Sequence, residues 1–301
     1  MFTVKNFKVT YNSVNGKDIF TNGDWVSGQV TLEVAKDCQI NYLFIKFKGK
    51  AEVNWTERQG YGTVVYHSKQ KYFSLKHYFI RDKTLTGRRD FIFEWKDVPC
   101  SFTGSNGKIV YLLEAKVSRS TWFTSKDSTK INVVSKADLT PQHKSMEKKF
   151  NLFTSGAVTM TADIEKTGFF QGEGLKVVVR IINKSSREIK PKYCVYRKHS
   201  FFANGERRLE TKDILKDVGT AIAPSASKKV TRVITIPHDM EPSILNCNII
   251  KVEYRLRVSS SVTRRLATQV CVPVLRDCAQ KIIVYEALIS ELCSSKIGNK
   301  N

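Results

Sequence analysis

Hydrophobic and polar residues alternate strictly along residues 251–258. The apolar positions are Val252, Tyr254, Leu256 and Val258, and the charged positions between them are Lys251, Glu253, Arg255 and Arg257. A period of two is typical of a β-strand that packs on a core with one face and meets water with the other. The pattern therefore predicts a strand whose buried face includes Tyr254.

A similar segment, Lys-Ile-Val-Tyr-Leu-Leu-Glu-Ala, occupies residues 108–115. Both segments begin nine residues after a proline, Pro99 in one case and Pro242 in the other. Tyr111 therefore matches Tyr254 at an offset of 143 residues. Self-similarity at a fixed period indicates that one β-domain is built twice.

A second match lies upstream in each half. Gly23-Asp24 and Gly172-Glu173 both precede a strand-like stretch, and their offset of 149 residues is close to the first one. The first half also shows short strands separated by turn dipeptides and no helix of normal length. These features predict an all-β fold of two tandem immunoglobulin-like β-sandwiches.

The boundary between the two units is predicted from composition. Residues 136–149 are polar, charged and interrupted by Pro141, which is typical of a linker. We therefore expect a first sandwich at 1–135, a second at 150–276 and a short tail at 277–301.

Composition limits the class of protein. The chain has 301 residues, of which 41% are hydrophobic, enough to form packed cores. It has no run of about 18 apolar residues that could span a membrane, and its first residues lack the apolar core of a signal peptide. The seven cysteines include no Cys-x-x-Cys pair. We expect a cytosolic protein.

The net charge of +22 favours an anionic partner. A basic run in the second half, which contains one acid, Glu188, is a candidate surface for an acidic membrane or an acidic receptor segment. A merely solvated sheet face is the alternative, and it stays open. The candidate residues are Lys176, Arg180, Lys184, Arg187, Lys190 and Lys192.

Catalysis and nucleic-acid binding have less support. The five histidines show no metal or triad spacing, and no glycine-rich phosphate loop is present, so we predict no catalytic, cofactor-binding or metal-binding residue and no enzyme activity. A basic nucleic-acid binder is a third hypothesis. It lacks a recognition helix and an aromatic and basic platform, so no nucleic-acid partner is predicted.

Several motifs resemble those of the α-arrestins, the arrestin domain-containing proteins. The N-terminal motifs are Gly28-x-Val30, Lys48-Gly-Lys-Ala51 with Trp55, and the unit 99–115; the C-terminal motifs are Ser155–Met160, Gly168–Gly174, Ile182–Arg187 and Pro242–Tyr254. The resemblance covers about residues 2–276 and implies two sandwiches of the arrestin fold.

The resemblance also implies a function. Such proteins are non-catalytic adaptors that bind the cytoplasmic segments of membrane receptors or transporters and direct them into endocytic and endosomal sorting, at the plasma membrane and endosomes. Many recruit WW-domain ubiquitin ligases through Pro-Pro-x-Tyr motifs. This sequence has no adjacent prolines and ends some 25 residues after the second domain. Ligase recruitment is therefore unsupported, and the chain is expected to be a tail-less adaptor or an incomplete product.

Cys247 gives the alternative function. It lies inside the motif 242–254, where a thioredoxin-binding member of the α-arrestins uses a cysteine in a mixed disulfide. The alternative is therefore a redox-sensitive regulator that binds thioredoxin through Cys247. An inert, half-buried cysteine is the other interpretation, because reactivity requires a lowered thiolate pKa.

Overall fold

The computed structural model describes residues 4–13, 18–21, 23–34, 39–85, 90–95, 98–119, 124–134, 144–152, 156–165, 168–260, 263–271 and 274–275. These residues form strands and turns and contain no helix. No apolar helix of membrane-spanning length therefore occurs among them. The predicted all-β architecture of tandem sandwiches is confirmed.

The first sandwich is formed by ten strands in two sheets. A three-stranded sheet has the order β1-β3-β7, and a larger one has the order β2-β10-β9-β4-β5-β6, with β8 paired to β9. The strands are β1 Val4–Tyr11, β2 Ile19–Thr21, β3 Trp25–Val34, β4 Tyr42–Gln59, β5 Gly62–Arg81, β6 Thr84–Leu85, β7 Asp90–Glu94, β8 Phe102–Thr103, β9 Gly107–Ser118 and β10 Thr124–Val134.

The second sandwich has two four-stranded sheets, with the orders β11-β12-β14-β17 and β16-β15-β18-β19, and a short β13-β20 pair. Its strands are β11 Lys144–Leu152, β12 Gly156–Ile164, β13 Phe169–Phe170, β14 Gly174–Ser185, β15 Pro191–Ala203, β16 Glu206–Val218, β17 Ser227–Thr235, β18 Ile250–Ser260, β19 Thr263–Cys271 and β20 Val274–Leu275.

The alternating segment forms β18 with the predicted orientation. Tyr254 is 1% exposed, and its hydroxyl donates a hydrogen bond to the carbonyl oxygen of Glu241 at 2.9 Å. Its predicted counterpart Tyr111 is also fully buried, on β9, and donates to the carbonyl oxygen of Pro99 at 2.7 Å. In both sandwiches one buried tyrosine thus fixes the chain that leads into its strand.

The glycine match also corresponds to the same structure in both halves. Gly23 has φ +87° and Gly172 has φ +82°, the left-handed region in which a side chain is strained. Asp24 accepts a hydrogen bond from the backbone N–H of Thr21 at 2.7 Å. Glu173 accepts the equivalent bond from Phe170 at 2.9 Å. The turn therefore joins β2 to β3 and, in the repeat, β13 to β14.

The predicted linker 136–149 overlaps a strand in the structure. Strand β11 begins at Lys144 and pairs antiparallel with β12 from Lys144↔Ile164 to Leu152↔Gly156. The backbone of 144–149 therefore belongs to the second sandwich, which starts before residue 150. Residues 136–143 and the predicted tail 277–301 lie outside the described residues.

Candidate interaction surfaces

The structure separates the six basic residues predicted as one surface. Lys176, Arg180 and Lys184 lie on the exposed face of β14, as strand alternation predicts. Lys229 on β17 is directly opposite Arg180, and Lys176 is paired with Glu165 at 2.5 Å. This face therefore keeps three of the predicted cations and gains one from the neighbouring strand.

The other three predicted residues lie elsewhere. Arg187 and Lys190 are in the connection after β14, and Lys192 is on β15, which belongs to the opposite sheet of the sandwich. The six residues therefore do not share one face, because the chain crosses from one sheet to the other between Arg187 and Lys192. Their role in binding an anionic partner stays a prediction.

A larger concentration of positive charge lies on the outer face of the large sheet of the first sandwich. Residues directly opposite in antiparallel strands point to the same side, so the register defines this face across β5, β4, β9 and β10. We call it the lysine face. Its ten lysines are Lys46, Lys48 and Lys50 on β4, Lys69, Lys71 and Lys76 on β5, Lys108 and Lys116 on β9, and Lys126 and Lys130 on β10.

Two carboxylates lie among these ten lysines, Glu52 and Glu114. Glu114 is nearly buried, and its carboxylate is 2.8 Å from Lys48, 2.7 Å from Lys126 and 3.7 Å from Lys116. Burial works to raise the pKa of Glu114, but the hydrogen bonds from Lys126 and Lys48 outweigh it and hold that pKa at about 2. The carboxylate is therefore the counter-ion that allows several lysines to lie side by side.

Glu52 is the second counter-ion. It is paired with Lys50 at 2.7 Å and lies 4.0 Å from Lys108 and 3.4 Å from His67. The hydrogen bond from Lys50 is the main reason that the pKa of Glu52 is lowered to about 2. Glu52 thus neutralises one end of the lysine face, while Glu114 neutralises the other.

The remaining five lysines have no counter-ion among the residues that the structure describes. Lys76 lies over the rings of Phe44 and Tyr78, at 3.6 Å and 4.2 Å from their centroids, which is a cation–π arrangement. Four further lysines form no ion pair with any residue that the structure describes: Lys46, Lys69, Lys71 and Lys130. The lysine face is therefore strongly positive in total.

Part of this face is visible in the sequence. Lys46, Lys48 and Lys50 alternate with apolar residues along one strand, and this pattern predicts that the exposed face of the strand is basic. The other lysines are up to about 80 residues away in sequence, and only the pairing of four strands brings them together.

Cys247 lies at the contact between the two sandwiches and is fully buried. The hydroxyl of Tyr72, from β5 of the first sandwich, donates a hydrogen bond to its sulfur at 3.1 Å, and the backbone N–H of Ile250 donates at 3.3 Å. Tyr72 can reach across because the register between β4 and β5 shifts beside it, at Gly49/Lys50. A protein partner therefore has no direct access to the thiol in this arrangement.

Other contacts hold the two sandwiches together. The turn between β8 and β9 supplies Ser105 and Asn106, which both donate hydrogen bonds to Glu210 on β16. The ring of Phe102 meets the buried His199 edge to face, with centroids 5.3 Å apart. Glu57 on β4 lies 3.7 Å from Arg208. The contact is thus polar at its rim and aromatic inside.

Among the described residues, no group of three or more histidine, cysteine or acidic side chains could hold a metal ion. Cys100 and Cys194 are also free thiols. Burial, with the neighbouring Asp213, raises the pKa of Cys194 to about 11, which makes it a poor nucleophile.

The two β-sandwiches and their contact define a protein built from two arrestin domains, and comparison with known families agrees. The model of the arrestin (or S-antigen) N-terminal domain matches residues 7–140, and the model of the C-terminal domain matches residues 154–275. The two matches together cover most of the chain.

Individual relatives are similar to this chain over most of its length. Arrestin domain-containing protein 4 of Mus musculus is 28% identical over 268 residues, which are 80% of this chain and 64% of that relative. Thioredoxin-interacting protein of Homo sapiens is 24% identical over 282 residues, which are 86% of this chain and 71% of that relative. The chain belongs to the arrestin family, and these similarities are consistent with its α-arrestin branch.

Proposed function

We propose that this protein is a cytosolic, non-catalytic adaptor in the endocytic and endosomal sorting of membrane receptors or transporters. Arrestin-family proteins are in general non-catalytic adaptors that bind membrane receptors. The observation that carries the proposal is the presence of both arrestin domains in sequence, at 7–140 and 154–275. The polar contact between the sandwiches supports it, because it places two binding domains in one unit.

Proximity labelling in cells tests the proposal. The full chain, fused to a labelling enzyme, should enrich endosomal proteins and membrane receptors or transporters. A matched fusion that carries Tyr254→Asp should lose this enrichment, because the substitution buries an unpaired charge in the second sandwich. Equal labelling by both fusions, or enrichment confined to nuclear proteins, would contradict the adaptor function.

A second candidate is a redox-sensitive regulator that binds thioredoxin through Cys247. The similarity to thioredoxin-interacting protein favours it. The bond would form by attack of the Cys247 thiolate on a thioredoxin disulfide, which releases one thioredoxin thiolate. Because Cys247 is buried under Tyr72, the contact between the sandwiches would have to open first.

Trapping experiments test this second candidate. Incubation with oxidised thioredoxin should give a reducible adduct that Cys247→Ser abolishes and that Cys100→Ser and Cys194→Ser leave intact. Tyr72→Ala should increase the yield, because it removes the side chain that covers the sulfur. An adduct that survives Cys247→Ser, or no adduct in either Tyr72 background, would exclude it.

A further inference from the structure

We propose that the lysine face, defined above on β5, β4, β9 and β10, docks on an anionic phospholipid surface. The proposal names a partner for the adaptor function on which it rests: the membrane that holds the cargo. Ten lysines against two carboxylates give this face a large share of the net charge of +22. The charge is therefore not spread evenly over the molecule.

The size of the lysine face suits an extended partner. From the Phe44 row to the Glu52 row it extends about 27 Å along the strands, and it is about 14 Å wide across four of them. Its two central strands, β4 and β9, are paired on both sides, so a peptide could add as a strand only at the edges of the face, along β5 or β10. Such a strand would lie beside the sheet and leave the lysines of the central strands uncovered.

The kind of cation also favours a membrane. The ten cations are all lysines, whose ammonium groups are point charges on flexible stems, without the fixed fork with which arginine binds one carboxylate or phosphate in two places. Acidic and phosphorylated peptide motifs are usually recognised by arginine clusters. Lysines can instead follow mobile lipid headgroups by changing rotamer.

Nucleic acid fits the lysine face less well. Single strands stack their bases on exposed aromatic rings. Phe44 is almost buried, and Lys76 covers both its ring and that of Tyr78. The aromatic residues on this face are therefore used to hold a lysine, and they form no open stacking platform.

Vesicle binding by the full chain tests the proposal. Co-sedimentation would compare phosphatidylcholine vesicles with vesicles that also contain about 30 mol% phosphatidylserine. The test variant combines Lys46→Gln, Lys71→Gln and Lys130→Gln, three lysines without a described counter-ion. Each lysine near an acidic surface contributes about fivefold to partitioning, so the triple variant should bind about 100-fold more weakly.

A scattered control has the same loss of charge. It combines Lys8→Gln, Lys212→Gln and Lys228→Gln, three exposed residues on β1, β16 and β17, which are not in the sheet that carries the lysine face. Its binding should change by less than about fivefold, since these charges are not held together near the lipid. A third variant, with Arg180→Gln, Lys184→Gln and Lys229→Gln, measures the β14 face in the same way. All the variants should keep the melting temperature of the wild type.

Every other outcome overturns the proposal. Equal losses in the test variant and the scattered control would show that only total charge matters. A loss confined to the β14 variant would assign the membrane contact to that face. Wild-type protein that ignores phosphatidylserine but binds poly-glutamate or an oligonucleotide through the three lysines would reassign the lysine face to that partner. Because these vesicles contain no receptor, a negative result here leaves cargo binding in cells as a separate question.

Discussion

The two outer faces of the first sandwich carry opposite charge over the residues that the structure describes, although they belong to one domain. The lysine face has ten cations and two acids. On the other side, the part of the outer face of β1-β3-β7 that the structure describes carries one cation, Lys8, and three acids: Glu33, Asp90 and Glu94. It also exposes two large apolar side chains, Trp25 at 57% and Ile92 at 63%.

The difference shows what constrains each layer. The inner faces of both sheets contribute to one core, so their residues are fixed by packing. The outer faces have no such constraint, and a random distribution of a charge of +22 would make both of them positive. The separation of lysines and acids on opposite faces therefore gives the domain an electric dipole. The positive end of this dipole is the lysine face.

The largest expected effect comes from two neighbouring residues on β9. Leu113 is fully buried on the inner face, and Leu112 lies on the lysine face between Lys48 and Lys130. Leu113→Lys should lower the free energy of unfolding by about 4 kcal/mol or more, because it buries an unpaired charge. Leu112→Lys should cost less than about 1 kcal/mol, from repulsion by the adjacent lysines.

Denaturant unfolding of the two variants measures the difference. Leu112→Lys should also bind phosphatidylserine vesicles about fivefold more tightly than the wild type, since it adds one cation to the docking face. If both substitutions cost the same stability, the assignment of inner and outer faces on β9 is wrong.

A smaller effect is expected from Glu114→Gln, which removes the counter-ion of the lysine face. Charge-assisted hydrogen bonds from Lys48 and Lys126 are lost, so the free energy of unfolding at pH 7 should fall by about 1–3 kcal/mol. Vesicle binding should become tighter, because the face gains one net positive charge. Glu33→Gln, on the opposite face, is the matched control and should change neither quantity appreciably.

The pH dependence of Glu114 follows from its lowered pKa. The folded-state pKa is about 2 and the ordinary value is 4.5, so the contribution of this carboxylate is fully present above pH 4.5. It is lost as the pH falls from 4.5 towards 2. The stability difference between the wild type and Glu114→Gln should shrink over that range, and a difference that grows on acidification would contradict the assigned ion pairs.

The smallest effect is a spectroscopic one. Trp25 is exposed on the outer face of β1-β3-β7, which is the acidic face, whereas Trp55 and Trp95 are each 4% exposed. If the lysine face contacts the lipid, bound vesicles should leave the quenching of Trp25 by aqueous iodide unchanged. The difference between the wild type and Trp25→Phe isolates its signal. Protection of Trp25 by vesicles would show that the acidic and apolar face, with Ile92, meets the membrane instead.

The sequence by itself determined the repeated architecture and the inner faces of its central strands. Period-two alternation fixes which side of β18 is buried, and the matched tyrosines identified β9 as its counterpart. The repeated glycine turn was also predictable, because few residues other than glycine adopt positive φ without strain. These features are local, and each can be derived from a short stretch of chain.

Only the tertiary structure decided where the charge is concentrated. The basic run Lys176–Lys192 is contiguous in sequence, yet the chain passes from one sheet to the other within it and divides its cations. The lysine face has the opposite property. Its residues come from four strands between Lys46 and Lys130, and their proximity depends on strand order and register, which are non-local.

The start of the second sandwich and the burial of Cys247 both depend on pairing that the hydrophobic pattern does not reveal. Residues 144–149 are polar and charged like a linker, but pairing with β12 makes them a strand. Cys247 is in a motif that the sequence singles out, and a tyrosine 175 residues earlier in the chain covers its sulfur. Alternation along a strand determines which face of it is buried, whereas the pairing of distant segments determines what each face and each side chain meets.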